Sequence, residues 1–379
     1  VVVTINTTAI NIYENGVFKD IATGTWTPGD SNTSLVIGSR AANANPFNGT
    51  IDDVIIFNRS LSAEQVWNLY ANKSSQIAYP ETGVRGEQWN VSITPNDGLY
   101  DGASALSNTL TLLNTLPTQE TPILNTTNLA TNDSNTNLTA YNVSTYDADN
   151  DNVRNIYNWV ANGKSLAVLN MPFEGINGTT TNNAYAWDYS GYSNNGTAKN
   201  GVLWNVTGGF DGKGAYEFDG INDFINIPDA ANPELNFSTN DFSISLWVKL
   251  EYNSTTSAWA SLISKGNPVN GVSGWAISMY SGKTNLSFRI HDGTTLGYIE
   301  PKGTLENLQW HHIVAVRNNT APGESLKLYQ DGAVVGTFTG AGNINVSAKN
   351  ALAIGYGYTY FNGTIDDVII FNRSLSAQQ

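Results

Sequence analysis

The chain is punctuated by short runs in which apolar and polar residues alternate. Phe242-Ser243-Ile244-Ser245-Leu246-Trp247-Val248, Trp275-Ala276-Ile277-Ser278-Met279 and Leu286-Ser287-Phe288-Arg289-Ile290 all repeat with a period of two. That period sends alternate side chains to opposite faces of a β-strand. Asn-Gly, Asp-Gly and Gly-Gly pairs stand between the runs, and these residues accept the left-handed backbone of tight hairpin turns. Leu326-Lys327-Leu328-Tyr329 ahead of Gln330-Asp331-Gly332 is one such predicted hairpin. A helical period is confined to one stretch, where Ser62 can cap a short helix through Gln65 and Val66, Trp67, Leu69 and Tyr70 follow. The pattern predicts an all-β protein built from two-sheet sandwiches.

An internal repeat organises the chain. Residues 47–65 read FNGTIDDVIIFNRSLSAEQ and residues 361–379 read FNGTIDDVIIFNRSLSAQQ, so only Glu64 and Gln378 differ. Upstream, Ile12-Tyr13-Glu14-Asn15-Gly16 parallels Leu328-Tyr329-Gln330-Asp331-Gly332. Repetition of this kind points to a tandem array. Residues 1–76 are expected to be the C-terminal part of one domain and residues 166–379 a full copy.

The second copy carries LNMPFEG (169–175), WDYSGYSNNGT (187–197), GKGAYEFDGINDFINI (212–227), FSISLWVK (242–249), LISKG (262–266), WHHIVAVR (310–317), LYQDG (328–332) and FNGTIDDVIIFNRSLS (361–376). In this order the blocks resemble the laminin G-like, concanavalin A-like jelly roll. Residues 77–165 differ. They hold WNVSITPNDG (89–98), a strand from Thr109 to Asn114, a break flanked by Pro117 and Pro122, the segment Leu138–Tyr146, an acidic turn, and Ile156-Tyr157-Asn158-Trp159-Val160. This segment resembles the immunoglobulin-like modules of archaeal cell-surface proteins. The resemblance implies a buried Trp159 against core positions Ala140 and Ser92. It also leaves two layouts open: one rearranged sandwich over 77–165, or the halves 77–116 and 118–165 of two split modules.

Composition narrows the class. The chain has 379 residues, room for two or three domains, with charged residues at 13% and a formal net charge of −14. That charge argues against nucleic acid and anionic membrane as partners and suits divalent cations. There is no cysteine, so disulfides, thiolate metal sites and cysteine nucleophiles are excluded. No apolar run is long enough to span a membrane. No signal peptide opens the chain, and Val1 falls inside a predicted strand, so the true N-terminus is expected elsewhere. Asn-X-Ser/Thr sequons stand at Asn6, Asn32, Asn48, Asn58, Asn72, Asn90, Asn125, Asn132, Asn137, Asn142, Asn177, Asn195, Asn205, Asn236, Asn253, Asn285, Asn318, Asn345, Asn362 and Asn372. Their density predicts N-linked glycans and an extracellular, cell-surface location.

Concanavalin A-like glucanases resemble this pattern and use a Glu-X-Asp-X-Glu strand, which is absent here. Alternation puts Asp366 and Asp367 on opposite faces, and Asp52 and Asp53 likewise, so no enzyme is expected. His311 and His312 are adjacent in a strand, so their rings diverge and cannot share a metal. For calcium, the loop from Asp188 to Gly196 offers side-chain and carbonyl oxygens, and the resemblance places it near the final strand. Asp188, Asn195 and Asp366 are the candidate side-chain ligands. The alternative for Asp188 and Asn195 is a pair of Asx-turns. Loop aromatics, among them Trp187, Tyr189, Tyr192, Trp204, Trp259, Tyr280, Tyr298, Tyr356, Tyr358 and Tyr360, could stack on sugars. The expected function is a non-catalytic structural or adhesive repeat protein, forming a glycosylated stalk, sheath or filament with copies of itself or neighbouring repeats. The alternative is a calcium-dependent carbohydrate-binding module of a larger surface protein or enzyme.

Overall fold

A computed structural model describes residues 1–25, 34–39, 45–71, 73, 75–77, 86–126, 136–175, 185–229, 233–251, 259–280, 284–300, 302–305, 308–319, 324–340, 344–347 and 350–378. The sequons at Asn32, Asn72, Asn132, Asn177 and Asn253 lie outside these residues. Every described sequon asparagine is exposed or half-buried. The chain forms two compact units, Val1–Val153 and Arg154–Gln379. Among the described residues no helix is long and apolar enough to cross a membrane.

The second unit is a sandwich of two eight-stranded antiparallel sheets. In the first sheet the order is Leu203–Asn205, Ala215–Asp219, Asn362–Phe371, Phe242–Leu250, Trp310–Arg317, Glu324–Gln330 and Ala333–Thr339, and Ala167–Met171 also pairs with Asn362–Phe371. The second runs Tyr185–Ala186, Gly196–Lys199, Phe224–Ile227, Leu352–Ile354, Ser261–Gly266, Gly274–Met279, Leu286–His291 and Leu296–Tyr298. The alternating runs do what their period requires. Ile244, Leu246 and Val248 meet Trp275, Ile277, Phe288 and Ile290 in one buried cluster between the sheets. Trp275 sits 5.7 Å from Phe242, and Phe242 stacks on Phe237 at 4.5 Å. The Asp331-Gly332 turn has φ values of 52° and 80°, the left-handed pair that a two-residue hairpin needs.

The first unit holds a three-stranded sheet, Val2–Ile5, Ala9–Glu14 and Val17–Thr23, with an equivalent turn at Asn15 and Gly16 (φ 54° and 75°). A Cβ at Gly16 would lie 2.8 Å from the Trp67 ring, so both backbone and space call for glycine there. The helix Ala63–Tyr70 forms as the sequence predicts, with the Ser62 Oγ accepting the Gln65 N–H at 3.2 Å. Ser62→Ala is expected to destabilise the first turn by about 1 kcal/mol. Amide exchange at Gln65 and Val66 should quicken several-fold, and unchanged rates would contradict the cap. Farther along, Gln88–Trp89 pairs with Leu110–Thr111, Ser92–Ile93 with Ala105–Leu106, and Thr118–Thr126 with Leu138–Tyr146.

Trp159 is a correction. Its expected burial is not found, for the residue is 38% exposed, and it belongs to the second unit. Its segment is tied into the second unit instead. The Asn158 Nδ2 donates to the Ser190 carbonyl at 3.1 Å, and the Asn170 Nδ2 donates to the Tyr157 carbonyl at 3.1 Å.

Candidate functional site

The central strand Asn362–Phe371 carries two adjacent acids, Asp366 and Asp367, in the middle of the first sheet. Ile365 and Val368 both enter the core. They are three apart, an odd spacing that a regular strand cannot send to one face. Pairing with Phe242–Leu250 resolves the conflict: Ser245 faces Ile369 and Trp247 faces Asp366, three steps against two. This is a β-bulge. Asp367 takes φ 49°, and its N–H donates to Asp366 Oδ1 at 2.8 Å. The expectation that the two acids diverge therefore fails, because the bulge suspends alternation between them. They meet Glu174, and the three carboxylates offer oxygens within 4.8 Å of one another.

This proximity shapes their protonation. Burial first, then the neighbouring Asp367 charge, pushes the Asp366 carboxyl up to about 7. Burial likewise lifts Glu174 to about 7 against the pull of Arg154. Arg154 is the counter-ion. Its Nη1 bonds Glu174 and lies 2.9 Å from Asp211 Oδ2, while its Nη2 donates to both Asp367 oxygens at 3.1 and 3.2 Å. Asp366 Oδ2 accepts the Phe210 N–H at 3.0 Å, and the Phe210 ring stacks on Trp247 with centroids 3.4 Å apart.

Beside this network opens a cavity of about 270 Å³. Tyr157, Trp247, His312, Asn170, Arg154 and Asp367 line it, with Asp366 and Glu174 outside the lining. His312 Nε2 lies 2.8 Å from Ser245 Oγ, and burial lowers the ring's pKa, favouring the neutral form. His311 turns to Asp331 instead, at 2.8 Å, so the two rings take separate partners.

The calcium candidates occupy different settings. Both Asp188 oxygens are taken by their own surroundings: Oδ1 accepts from the N–H groups of Asn170 and Ser190, and Oδ2 from Ser190 Oγ and the Asn194 N–H. Asn195 Oδ1 accepts the Asp188 N–H at 2.9 Å. The Ser190 N–H bond to Asp188 Oδ1 is an Asx-turn, whereas Asn195 makes none and instead closes the loop back onto the Asp188 backbone. The acids gathered around Asp366 are Glu174 and Asp367. Packed carboxylates with raised pKa values suit a hard cation, a role that the Arg154 guanidinium fills in part.

Residues 1–67 and 219–379, more than half of the chain, match the profile of the concanavalin A-like lectin/glucanases superfamily. The chain belongs to this superfamily. No curated protein sequence matches it. Similar solved structures include domain 4 of AbnA, an extracellular GH43 arabinanase of Geobacillus stearothermophilus in complex with arabinotriose. It is 19% identical, covering 56% of this chain and 95% of its own, with a TM-score of 0.40. The binding domain of Paraclostridial Mosquitocidal Protein 1 is 19% identical over 56% of this chain and 50% of its own, with a TM-score of 0.43. Botulinum neurotoxin type C, whose cell entry depends on interaction with two ganglioside molecules, is 19% identical over 56% and 49%, with a TM-score of 0.42. The match thus spans about half the length of each toxin chain.

Within this concanavalin A-like jelly roll the loop aromatics split into separate groups. Trp259 and Tyr298 hold Arg289 between them, with the guanidinium 3.9 and 4.9 Å from the two rings, and Tyr280 meets Trp259 edge-on. Tyr356 stacks on Tyr360 at 4.6 Å beside Phe224. The cavity uses none of these. Sequence reasoning took Trp247 and His312 as strand pattern only, and it passed over Arg154. The available signal was a scarce cation in an acidic chain, just ahead of the first jelly-roll strand.

Proposed function

We propose that the second unit is a carbohydrate-binding module acting by recognition without catalysis. The observation that carries this reading is the cavity in which Trp247 and Tyr157 offer aromatic surface beside the polar groups of Asn170, His312, Arg154 and Asp367. Sugars need that combination, an apolar ring for their C–H face and fixed hydrogen-bonding groups for their hydroxyls. Membership of a superfamily that includes lectins supports it. The carboxylates argue against hydrolysis. Asp366 is fully buried, and both oxygens of Asp367 are bound by Arg154, so among the described residues no free pair faces the cavity at the spacing a retaining glycosidase uses. The cavity's volume suits one sugar ring of a longer neutral chain. The near-identical segments 47–65 and 361–379 favour display of such modules in a tandem array, and the sequons favour a glycosylated, extracellular protein. A calcium ion would be held by Glu174, Asp366 and Asp367, whose charge it would offset.

Calorimetric titration of the whole chain against neutral oligosaccharides, arabinotriose among them, tests the reading. Tyr157 is 50% exposed, so Tyr157→Ala spares the fold. It is expected to weaken binding about tenfold, equivalent to about 1.4 kcal/mol. Binding that ignores this substitution, or no binding to any sugar, would overturn the assignment.

A further inference from the structure

The second unit holds another cation, and its bonding is incomplete. Arg289 lies in the strand Leu286–His291, where Leu286, Phe288 and Ile290 enter the core. Alternation turns Ser287 and Arg289 to the outer face of the second sheet. Ser245, Trp247 and His312, which line the cavity described above, belong to strands of the first sheet. The two features therefore stand on different sheets.

Arg289 faces Ala276 on one neighbouring strand and Tyr298 on the other. A side chain as small as Ala276 leaves a guanidinium room to lie against aromatic rings. The Trp259 and Tyr298 centroids are 3.9 and 4.9 Å from the Arg289 Cζ, and Tyr280 meets Trp259 edge-on at 4.7 Å. Stacking fixes the plane of a guanidinium and uses none of its N–H donors. Those donors are unmet. The Nε is buried without a hydrogen-bond partner, and among the described residues no acceptor bonds either Nη. Glu300 is the neighbouring acid, but its Oε1 accepts the Tyr298 hydroxyl at 2.8 Å. Burial pulls the Arg289 pKa below its ordinary value, against the opposing charges of Tyr298 and Glu300. A desolvated cation with idle donors costs free energy until an acceptor arrives. The acceptor that fits the fork is a carboxylate, whose two oxygens take two parallel bonds. With a net charge of −14 the chain does not steer acids towards itself, so selectivity rests on this local geometry.

We propose that Arg289 anchors a second binding site, which takes the carboxylate of an acidic saccharide. The Trp259 indole and the exposed Tyr280 ring lie beside the cation and suit the C–H face of the sugar that carries the acid. The site stands independently of the cavity on the first sheet.

Titration calorimetry of the whole chain with trigalacturonate at neutral pH, and with its methyl ester, tests this. The acid is expected to bind about tenfold more tightly than the uncharged ester. Arg289→Lys keeps the charge and loses the fork, and should weaken acid binding about tenfold. Glu300→Gln keeps an acceptor for Tyr298 at an exposed position and removes a negative charge, so it should tighten acid binding about twofold. Equal binding of acid and ester, no binding of the acid, undiminished binding by Arg289→Lys or weaker binding by Glu300→Gln would each overturn the proposal. Tighter binding of triglutamate than of trigalacturonate would overturn it in favour of an acidic peptide. Acid binding lost in Tyr157→Ala and kept in Arg289→Lys would assign the acid to the cavity and overturn it too.

Discussion

Asp366→Asn is expected to flatten the pH dependence of stability. Asp366 is fully buried, and its carboxyl is held up near 7 from an ordinary value of 3.8. A carboxyl with a raised folded-state pKa contributes most below its unfolded pKa. That contribution is lost as pH climbs from about 4 through about 7, because the unfolded chain ionises freely and the folded chain resists. At about 1.4 kcal/mol per unit of pKa, the loss comes to about 4 kcal/mol. Asparagine cannot ionise. Between pH 4 and pH 8 the stability difference between variant and parent should therefore move by about this much in the variant's favour, whatever fixed offset the lost hydrogen bond to Phe210 or Asp367 adds. Urea unfolding at pH 4, 6 and 8 with a chelator present measures it. Parallel profiles would show that Asp366 ionises as readily in the folded chain as in the unfolded one.

Trp275→Ala should cost about 3–5 kcal/mol, the largest loss expected from one truncation in the core. Trp275 is fully buried between the sheets and packs on Phe237 and Phe242. Its neighbour Phe242 belongs to a strand held on both sides, so the cavity closes only in part. Trp275→Phe provides the contrast. The indole Nε1 is buried with no hydrogen-bond partner, so the tryptophan already bears the cost of a desolvated donor. Phenylalanine removes that donor and leaves a smaller gap, and the loss should fall to about 1 kcal/mol. Chemical denaturation of both variants tests the pair. Equal losses would mean that volume alone decides at this position.

The all-β class, the hairpin turns, the Ser62 cap and the jelly roll of the second copy were legible because each rests on local chemistry. A period of two, a left-handed Asn-Gly or Asp-Gly pair, and a hydroxyl three residues before an orphan N–H are complete within a few residues. The site was less legible, for two reasons. Arg154, Glu174, Asp211 and Asp367 come from four stretches of chain, and only the fold brings the guanidinium to all three acids. Trp247 and His312 sit in runs whose alternation explains them as ordinary strand residues, so nothing local distinguishes a cavity wall from a solvated face. The expectation for Asp366 and Asp367 failed because strict alternation was assumed where the chain breaks it. Trp159 failed for a related reason, since a motif's neighbours along the sequence do not reveal which unit it joins.

The extra residue at Asp366-Asp367 also sets which kinds of sequence change this strand can survive. Upstream of it the inward positions fall on one parity of residue number, with Ile365 in the core; downstream they fall on the other, with Val368 and Ile370. The bulge works as a phase marker between two reading frames of the same strand. Replacing either aspartate alters charge but leaves both frames intact. Deleting either one would bring Ile365 and Val368 to a spacing of two, and regular alternation would then keep Ile365, Val368 and Ile370 on the core face. Related chains should therefore vary freely in the identity of these two residues and, where they lose a residue from this strand, lose it here.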